Sequence, residues 1–208
     1  MRHALILLLS FLSFPILAFA QDTPSPDETV KQALADRKLK VRYDSTPVDE
    51  VLDELRERSG VNVAVVASAT ADKTVTLKGN GVSARSVLDA IAAADDGFTY
   101  EVWRGFVFVS AKGAVRKAPP APDLSDEARK TCTERRITAS FADVTVAEFL
   151  DYIAETTGVS FSAAQAVADA RFSLRVKDAP ATNVLDVVCR LLDLKVQRAG
   201  EVHVLKSR

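Results

Sequence analysis

The sequence contains little of the chemistry from which catalytic and metal sites are usually built. Two histidines and two cysteines occur among its 208 residues, and one of the histidines, His3, lies in the leader segment described below. The remaining set of Cys132, Cys189 and His203 has no C-x-x-C or H-x-x-x-H spacing, so we expect no metal and no cofactor. A lone histidine in an alternating strand, such as His203, is more often hydrogen-bonded or solvent-facing than a base or a ligand.

The sequence is also low in glycine, and its net charge is close to zero. The 8 glycines fall at predicted turns, linkers or helix ends, and no glycine-rich run precedes a helix, which excludes a phosphate-binding loop. With 27 basic and 28 acidic residues, the chain has no charge excess with which to bind nucleic acid or an anionic membrane. No set of nucleophile and base stands out, so we expect a protein that is not an enzyme.

The first twenty residues are typical of a secretory signal peptide. A short cationic start is followed by an apolar stretch from Ala4 to Phe19 and by a small-x-small cleavage pattern that ends at Ala20. A membrane anchor is the alternative, but Pro15 interrupts the run, which is short for a stable span. We therefore expect cleavage after Ala20, a periplasmic or secreted protein, and no membrane span in the mature chain.

The most informative feature of the sequence is a duplication. The stretch VDEVLDELRERSG from Val48 to Gly60 is repeated as VAEFLDYIAETTG from Val146 to Gly158. Both have apolar residues at i, i+3, i+4 and i+7, which is one face of an amphipathic helix, and both end at a glycine that can close a helix. An apolar, β-branched segment follows each copy, and the later elements also recur in the same order.

The order of elements predicts an α+β fold made of two tandem βαββαββ-type domains, each with two helices packed on small mixed sheets. We place an N-terminal tether and short helix at 21–37, the first repeat at 38–112 and the second repeat at 133–208. Between the repeats, 113–132 contains three prolines and no apolar periodicity over its first part, which predicts a semi-rigid linker followed by a short helix.

Cys132 and Cys189 leave two alternatives open. Export would place them where disulfides form and persist, and their even number favours a bond between them. The other interpretation is two buried thiols, because cysteine is among the most buried residue types.

The two repeats resemble the short N-terminal domain shared by secretins and TonB-dependent transducers, known as the STN or secretin N0 domain. The residues that carry the resemblance are VRYDSTPVDEVLDELRERSGVNVAV, VTLKGNGVSARSVLDAI and FTYEVWRGFVFV in the first copy, and RITASFADVTVAEFLDYIAETTGVSFS, FSLRVKDAPATNVLDVVCRLL and LKVQRAGEVHVL in the second. The resemblance implies a non-enzymatic periplasmic docking unit that contacts inner-membrane secretion components or an anti-sigma regulator. No pore or barrel domain is recognised beside the two copies, so the usual partner is not implied.

One feature of the first repeat predicts a binding surface. If Arg104-Gly105 is a two-residue turn, then Trp103, Phe106 and Phe108 share one face of a hairpin, while the valines between them point the other way. We call these three residues the aromatic face. Exposed clusters of aromatic residues usually mark a partner surface. The alternative is that the aromatic face is covered by the other repeat or by the short helix at 27–36.

These observations favour a non-catalytic, exported protein-interaction module, an adaptor or scaffold that binds an unidentified protein of the cell envelope. Binding through an open sheet edge or through the aromatic face would suit short sheets. One alternative is an accessory subunit of an envelope secretion or pilus machine or of a TonB-linked signalling system. An uncharacterised enzyme is the second alternative, which a deep polar pocket with perturbed carboxylates would favour.

Overall fold

The computed structural model describes residues 24–66, 69–112 and 118–208 of the chain. The predicted signal peptide at 1–20, the beginning of the predicted tether and the 113–117 part of the predicted linker lie outside the described residues.

The elements of the first half follow the predicted order. The chain forms α1 (Pro26–Asp36), β1 (Lys38–Pro47), α2 (Val48–Ser59), β2 (Asn62–Val65), β3 (Thr74–Ser83), α3 (Ala84–Ala94), β4 (Phe98–Trp103) and β5 (Phe106–Ala111). The second half forms α4 (Asp126–Glu134), β6 (Arg136–Thr145), α5 (Val146–Thr157), β7 (Phe161–Ala163), α6 (Gln165–Ala168), β8 (Arg171–Pro180), α7 (Ala181–Leu192), β9 (Leu194–Ala199) and β10 (Val202–Ser207).

Each half contains two small sheets of the same design. The first has an antiparallel pair β1-β3 and a three-stranded sheet ordered β2-β5-β4, in which β2 runs parallel to β5. The second has the antiparallel pair β6-β8 and the three-stranded sheet β7-β10-β9, with β7 parallel to β10. The predicted α+β fold class is confirmed, and each three-stranded sheet is mixed.

The two duplicated helices begin and end for local reasons that the sequence contains. The hydroxyl of Thr145 accepts from the Glu148 amide, and the Glu148 carboxylate accepts from the Thr145 amide at 2.8 Å, which forms a capping box at the start of α5. Both helices end at a glycine in the left-handed region, Gly60 with φ 75° after α2 and Gly158 with φ 74° after α5. A side chain at that φ would be strained, so glycine is favoured there.

The sheet β2-β5-β4 has apolar side chains on both of its faces. Val107 and Val109 of β5 belong to the hydrophobic core of the first half, which also contains the inward faces of α2 and α3. Phe106 and Phe108 of β5 and Ala64 of β2 instead join the core of the second half. The first half therefore docks on the second through the outer face of this sheet, against α7.

Candidate functional site: the interface and cleft between the repeats

The aromatic face lies in the interface between the two repeats. Arg104 (φ 56°) and Gly105 (φ 78°) form the predicted two-residue turn, with Trp103 opposite Phe106. Phe106 is 0% exposed and Phe108 is 1% exposed, while Trp103 is partly buried and packs edge-to-face on Phe108 with a centroid distance of 6.4 Å. The prediction of an exposed partner-binding face is therefore wrong, because the second repeat covers these rings.

Arg190 of α7 holds the aromatic face from the other repeat. Its guanidinium carbon lies 4.7 Å from the Trp103 ring centroid and 4.4 Å from the Phe108 ring centroid. Its side chain is 3% exposed and forms an ion pair with the carboxylate of Glu101, which remains 44% exposed. A desolvated cation stacked on aromatic rings is attracted by their electron-rich faces, so Arg190 ties the two repeats together.

A second ion pair crosses the same interface. Asp186 of α7 is almost fully buried, and its Oδ2 lies 2.9 Å from the Nε of Arg104. Burial raises the pKa of Asp186 to about 6, and the positive charges of Arg104 and Arg129 only partly offset this. The Nδ2 of Asn183 also donates to the Arg104 carbonyl at 3.0 Å. These groups line a small cavity of about 210 Å³ beside α4.

The sequence of α7 contains a signal for the buried roles of Arg190 and Asp186. The helix α7 is buried around nearly its whole circumference, from Val184 to Leu191. A helix that is apolar on all sides is an interior helix, and the charged residues within it must then have buried partners.

A larger cleft of about 750 Å³ lies between the repeats, and we call it the inter-repeat cleft. On the side of the first repeat it is bordered by α2 and β2, and on the side of the second repeat by β6, β8 and the end of α7. Its apolar lining includes Leu52, Val63, Val65, Phe141, Phe172, Leu174, Leu191 and Leu192.

The cleft begins where Asn62 joins β2 to β8. The Nδ2 of Asn62 donates to the Lys177 carbonyl at 3.0 Å, and its Oδ1 accepts from the Lys177 amide at 2.8 Å. In the described part of the chain no backbone hydrogen bond joins β2 to β8, and each is an edge strand of its own sheet. The strands β2 and β8 therefore lie side by side at this end of the cleft, joined by a side chain instead of by a backbone ladder.

Each of the three arginines that line the cleft is paired with an aspartate. Asp53 of α2 accepts from the Nη1 of Arg175 across the cleft at 3.1 Å, and its other oxygen lies 3.6 Å from the Nε of Arg56. Arg171 binds the carboxylate of Asp143 at 3.0 Å on the side of the second repeat. Apart from Arg56, the paired side chains are half-exposed or more, so these pairs position side chains more than they stabilise the fold.

Cys132 and Cys189 are two free, buried thiols, and the predicted disulfide between them is wrong. Although α4 and α7 are neighbours, Cys132 lies against the hydroxyl of Thr157, whereas Cys189 lies near Asp186 on its own helix. Burial raises the pKa of both thiols, that of Cys189 to about 12, so neither is present as a nucleophilic thiolate near neutral pH.

His203 is a satisfied core histidine rather than a solvent-facing one. It is 2% exposed; its Nε2 accepts from the Ser125 amide at 3.3 Å, and its Nδ1 lies 3.2 Å from the Ser160 carbonyl. This pair of partners requires the neutral tautomer with the proton on Nδ1. His203 thus connects β10 to the start of α4.

Within residues 24–66, 69–112 and 118–208, no group of three or more histidine, cysteine, aspartate or glutamate side chains is arranged to hold a metal ion. No helix in these ranges combines the length and apolar character needed to cross a bilayer. No family model matches the sequence, and no curated protein matches it at a significant level.

Proposed function

We propose that the chain is an exported, non-catalytic adaptor or scaffold of the cell envelope, built from two STN-like domains, that binds a protein partner in the inter-repeat cleft. The observation that carries this proposal is an apolar-walled cleft of about 750 Å³ between the repeats, bordered by the edge strands β2 and β8. Open edges that are not covered by another element are templates for pairing with a second chain.

The way the repeats are joined supports the proposal. The aromatic face is buried against Arg190, and a second ion pair joins Arg104 to Asp186. These contacts hold the first repeat against the second, so the walls of the cleft are fixed relative to each other. A preformed site loses less conformational freedom on binding than two repeats that move independently.

The chemistry of the cleft supports binding rather than acid–base catalysis. Each of its arginines is paired with an aspartate across or along its walls. Among the carboxylates of the described residues, Asp186 is the one whose pKa burial raises to about 6, and it lies in the smaller cavity beside α4, where it is paired with Arg104.

Site-specific crosslinking in the envelope tests the proposal. A photoreactive amino acid is placed at Asp49 or Ser173, both exposed at the cleft, and at Lys130, which is exposed on α4 and remote from it. We expect both cleft positions to capture the same protein and Lys130 not to capture it. Capture from Lys130 alone, or an identical pattern from all three positions, would contradict the assignment of the cleft.

The identity of the captured protein separates the proposed adaptor from its alternative. The STN-like order of elements in each repeat favours, as the second candidate, an accessory subunit of a secretion, pilus or TonB-linked system. Capture of a secretin component or a TonB-linked receptor from the cleft positions would support that second candidate.

A further inference from the structure

We propose that the outer face of the β1-β3 pair is a second binding surface, which takes an acidic, extended segment of a protein. Lys38, Lys40 and Arg42 of β1 and Lys78 of β3 share this face, and we call these four residues the basic face. The surface is separate from the inter-repeat cleft, since neither β1 nor β3, both described over their full length, borders that cleft. The argument depends on the exposure, the counterions and the spacing of the four cations.

Alternation along β1 directs the cations to solvent. The inward residues of β1 are buried in the core of the first half, whereas the outward ones are exposed. Successive side chains of a strand point to opposite faces, so Lys38, Lys40 and Arg42 form one row with about 7 Å between neighbours. On β3, Asn80 stands opposite Lys40 and Lys78 stands opposite Arg42, and both are exposed. All five side chains are polar, so this face offers charge and hydrogen bonds instead of an apolar anchor.

The cations of the basic face have no carboxylate partners. None of the four forms an ion pair within the ranges that the structure describes. Asp44 stands at the end of the same row, but it makes no ion pair with Arg42 in this part of the chain. Arg58 of α2 donates to the Lys40 carbonyl and is itself paired with Glu54. The neighbouring helix therefore places its carboxylate on its own arginine, and the row keeps its positive charge.

Two of the cations directly oppose each other. Arg42 pairs with Lys78 in the antiparallel register of β1 and β3. Opposed side chains on one face have Cβ atoms about 5 Å apart, and like charges at such positions destabilise the pairing. A glutamate at either position would protect the open edges of the two strands equally well and would attract the other residue. A local conflict of this kind is expected where a ligand supplies the missing opposite charge.

The second repeat has a neutralised form of the same face. At the position of the opposed cations, it has Ser140 opposite Arg175, and Arg175 is paired with Asp53 at 3.1 Å. At the start of β6, Arg136 is paired with Asp178 at 2.9 Å. Both strand pairs are built from ten-residue strands in the same antiparallel arrangement. The fold thus accepts a neutralised face, so the unpaired cations of the first repeat are not a requirement of the fold.

The spacing of the row indicates the form of the ligand. Alternate side chains of an extended chain recur at about 7 Å on one side, which is the interval between the cations of β1. A segment with an acidic residue at every second position therefore places one carboxylate over each of Lys38, Lys40 and Arg42. The guanidinium of Arg42 can bind its carboxylate through two parallel hydrogen bonds. An anionic bilayer fits less well, because binding at its surface also depends on apolar side chains that enter it.

The probe is the peptide acetyl-Thr-Glu-Thr-Glu-Thr-Glu-Thr-amide, titrated at low salt into the mature full chain and followed by backbone amide NMR. Its matched control has glutamine in place of each glutamate. We expect the acidic peptide to shift the amide resonances of Lys40, Arg42 and Lys78, and the glutamine peptide to bind about tenfold more weakly. Equal binding of the two peptides, a shift confined to Val63 and Val65 of the cleft, or no shift up to the solubility limit would overturn the proposal.

Two double variants test the assignment to the basic face. Arg42→Ser with Lys78→Ser should weaken the acidic peptide at least about fivefold, and its urea midpoint should not fall, because the opposed like charges are removed. The control, Lys130→Ser with Arg135→Ser, removes two exposed cations of the second repeat and should leave binding unchanged. An equal loss in both double variants would mean a general effect of net charge and would overturn the assignment.

Two further measurements identify other occupants of the basic face. Vesicles of equal parts phosphatidylcholine and phosphatidylglycerol should not sediment the protein. If they sediment the wild type but not the variant at Arg42 and Lys78, and the peptide does not bind, the basic face is a membrane-binding surface and the proposal is wrong. Size-exclusion chromatography at low salt should give a monomer. Oligomers that the same variant abolishes would mean that a second copy covers the face, which also contradicts the proposal. These outcomes leave the crosslinking test of the cleft unaffected.

Discussion

Replacing Arg190 by alanine is expected to separate the two repeats before either of them unfolds. The guanidinium of Arg190 stacks on two rings of the other repeat, those of Trp103 and Phe108. Among the described contacts, no other residue of α7 does so. The substitution removes the guanidinium, both stacking contacts and most of the side chain that fills the interface. It leaves the inward-facing core residues of both repeats unchanged.

The magnitude follows from the geometry. Each cation–π contact at a desolvated position is worth about 1–2 kcal/mol, and loss of the buried aliphatic stem adds about 1 kcal/mol, so the interface should lose about 3–5 kcal/mol. The carboxylate of Glu101 adds little to this loss, because it is 44% exposed and water replaces the guanidinium.

The assay uses the single tryptophan of the chain. Since Trp103 lies in the interface, its fluorescence reports docking of the repeats, whereas far-ultraviolet circular dichroism reports helices in both repeats. In urea titrations of the wild type, the two signals should change together. In Arg190→Ala the fluorescence transition should move to lower urea, ahead of the circular dichroism transition.

Two further variants provide the controls. Arg190→Met keeps most of the volume and a polarizable sulfur against the rings, so it should lose about half as much stability as Arg190→Ala. Arg85→Ala removes an exposed arginine of α3 whose ion pair with Asp89 is 3.9 Å long, and it should change stability by less than about 0.5 kcal/mol. If Arg190→Ala behaves like Arg85→Ala and its two transitions still coincide, the stacked arginine does not join the repeats.

Three other predictions concern the buried polar groups and thiols. Because the pKa of Asp186 is about 6 in the folded protein against an ordinary 3.8, the folded state binds a proton more tightly than the unfolded chain. This group should therefore raise the free energy of unfolding by up to about 3 kcal/mol as the pH falls from about 7 to about 4. In urea titrations, Asp186→Asn should remove that rise. An unchanged pH dependence in the variant would refute the assignment of the raised pKa to Asp186. Cys132 and Cys189 should not react with a thiol reagent in the native protein and should both react in urea without reductant, whereas an intact mass lower by two hydrogens would mean that they are bonded. His203→Ala removes a buried imidazole and leaves the Ser125 amide without its acceptor, while the Ser160 carbonyl keeps the His203 backbone amide at 3.0 Å. It should therefore destabilise the protein by about 1–3 kcal/mol in thermal melts. A loss below about 0.5 kcal/mol would contradict this.

The order of elements could be predicted because it depends on local rules. The apolar periodicity of α2 and α5 and the glycines at 60 and 158 define both helices, and the turn at Arg104-Gly105 sets the hairpin register. These features act within a few residues along the chain, so the sequence contains them directly.

The role of the aromatic face could not be decided in the same way. An apolar outer face on β5 is equally compatible with an external partner and with the other repeat, since both bury the same side chains. The choice depends on α7, about eighty residues later in the chain, whose Arg190 and Asp186 are complementary to that face. The disulfide prediction was wrong for a related reason. The contact between α4 and α7 does not fix the directions in which the side chains of Cys132 and Cys189 point.

The second repeat shows why the docking is not symmetric. In the hairpin of the second repeat, Ala199 and Val202 occupy the positions that Trp103 and Phe106 have in the first. The pair of Gln197 and Val204 stands where Glu101 pairs with Phe108. Val202 is 37% exposed, so this outer face is small and partly solvated rather than covered by rings. On the other side, α3 has Ala93 at the position that corresponds to Arg190 in the duplication. The duplication therefore kept the core of the domain and changed one face of each copy in complementary ways. A further copy could not dock on the second repeat by the same contacts, so this mode of docking joins one first repeat to one second repeat.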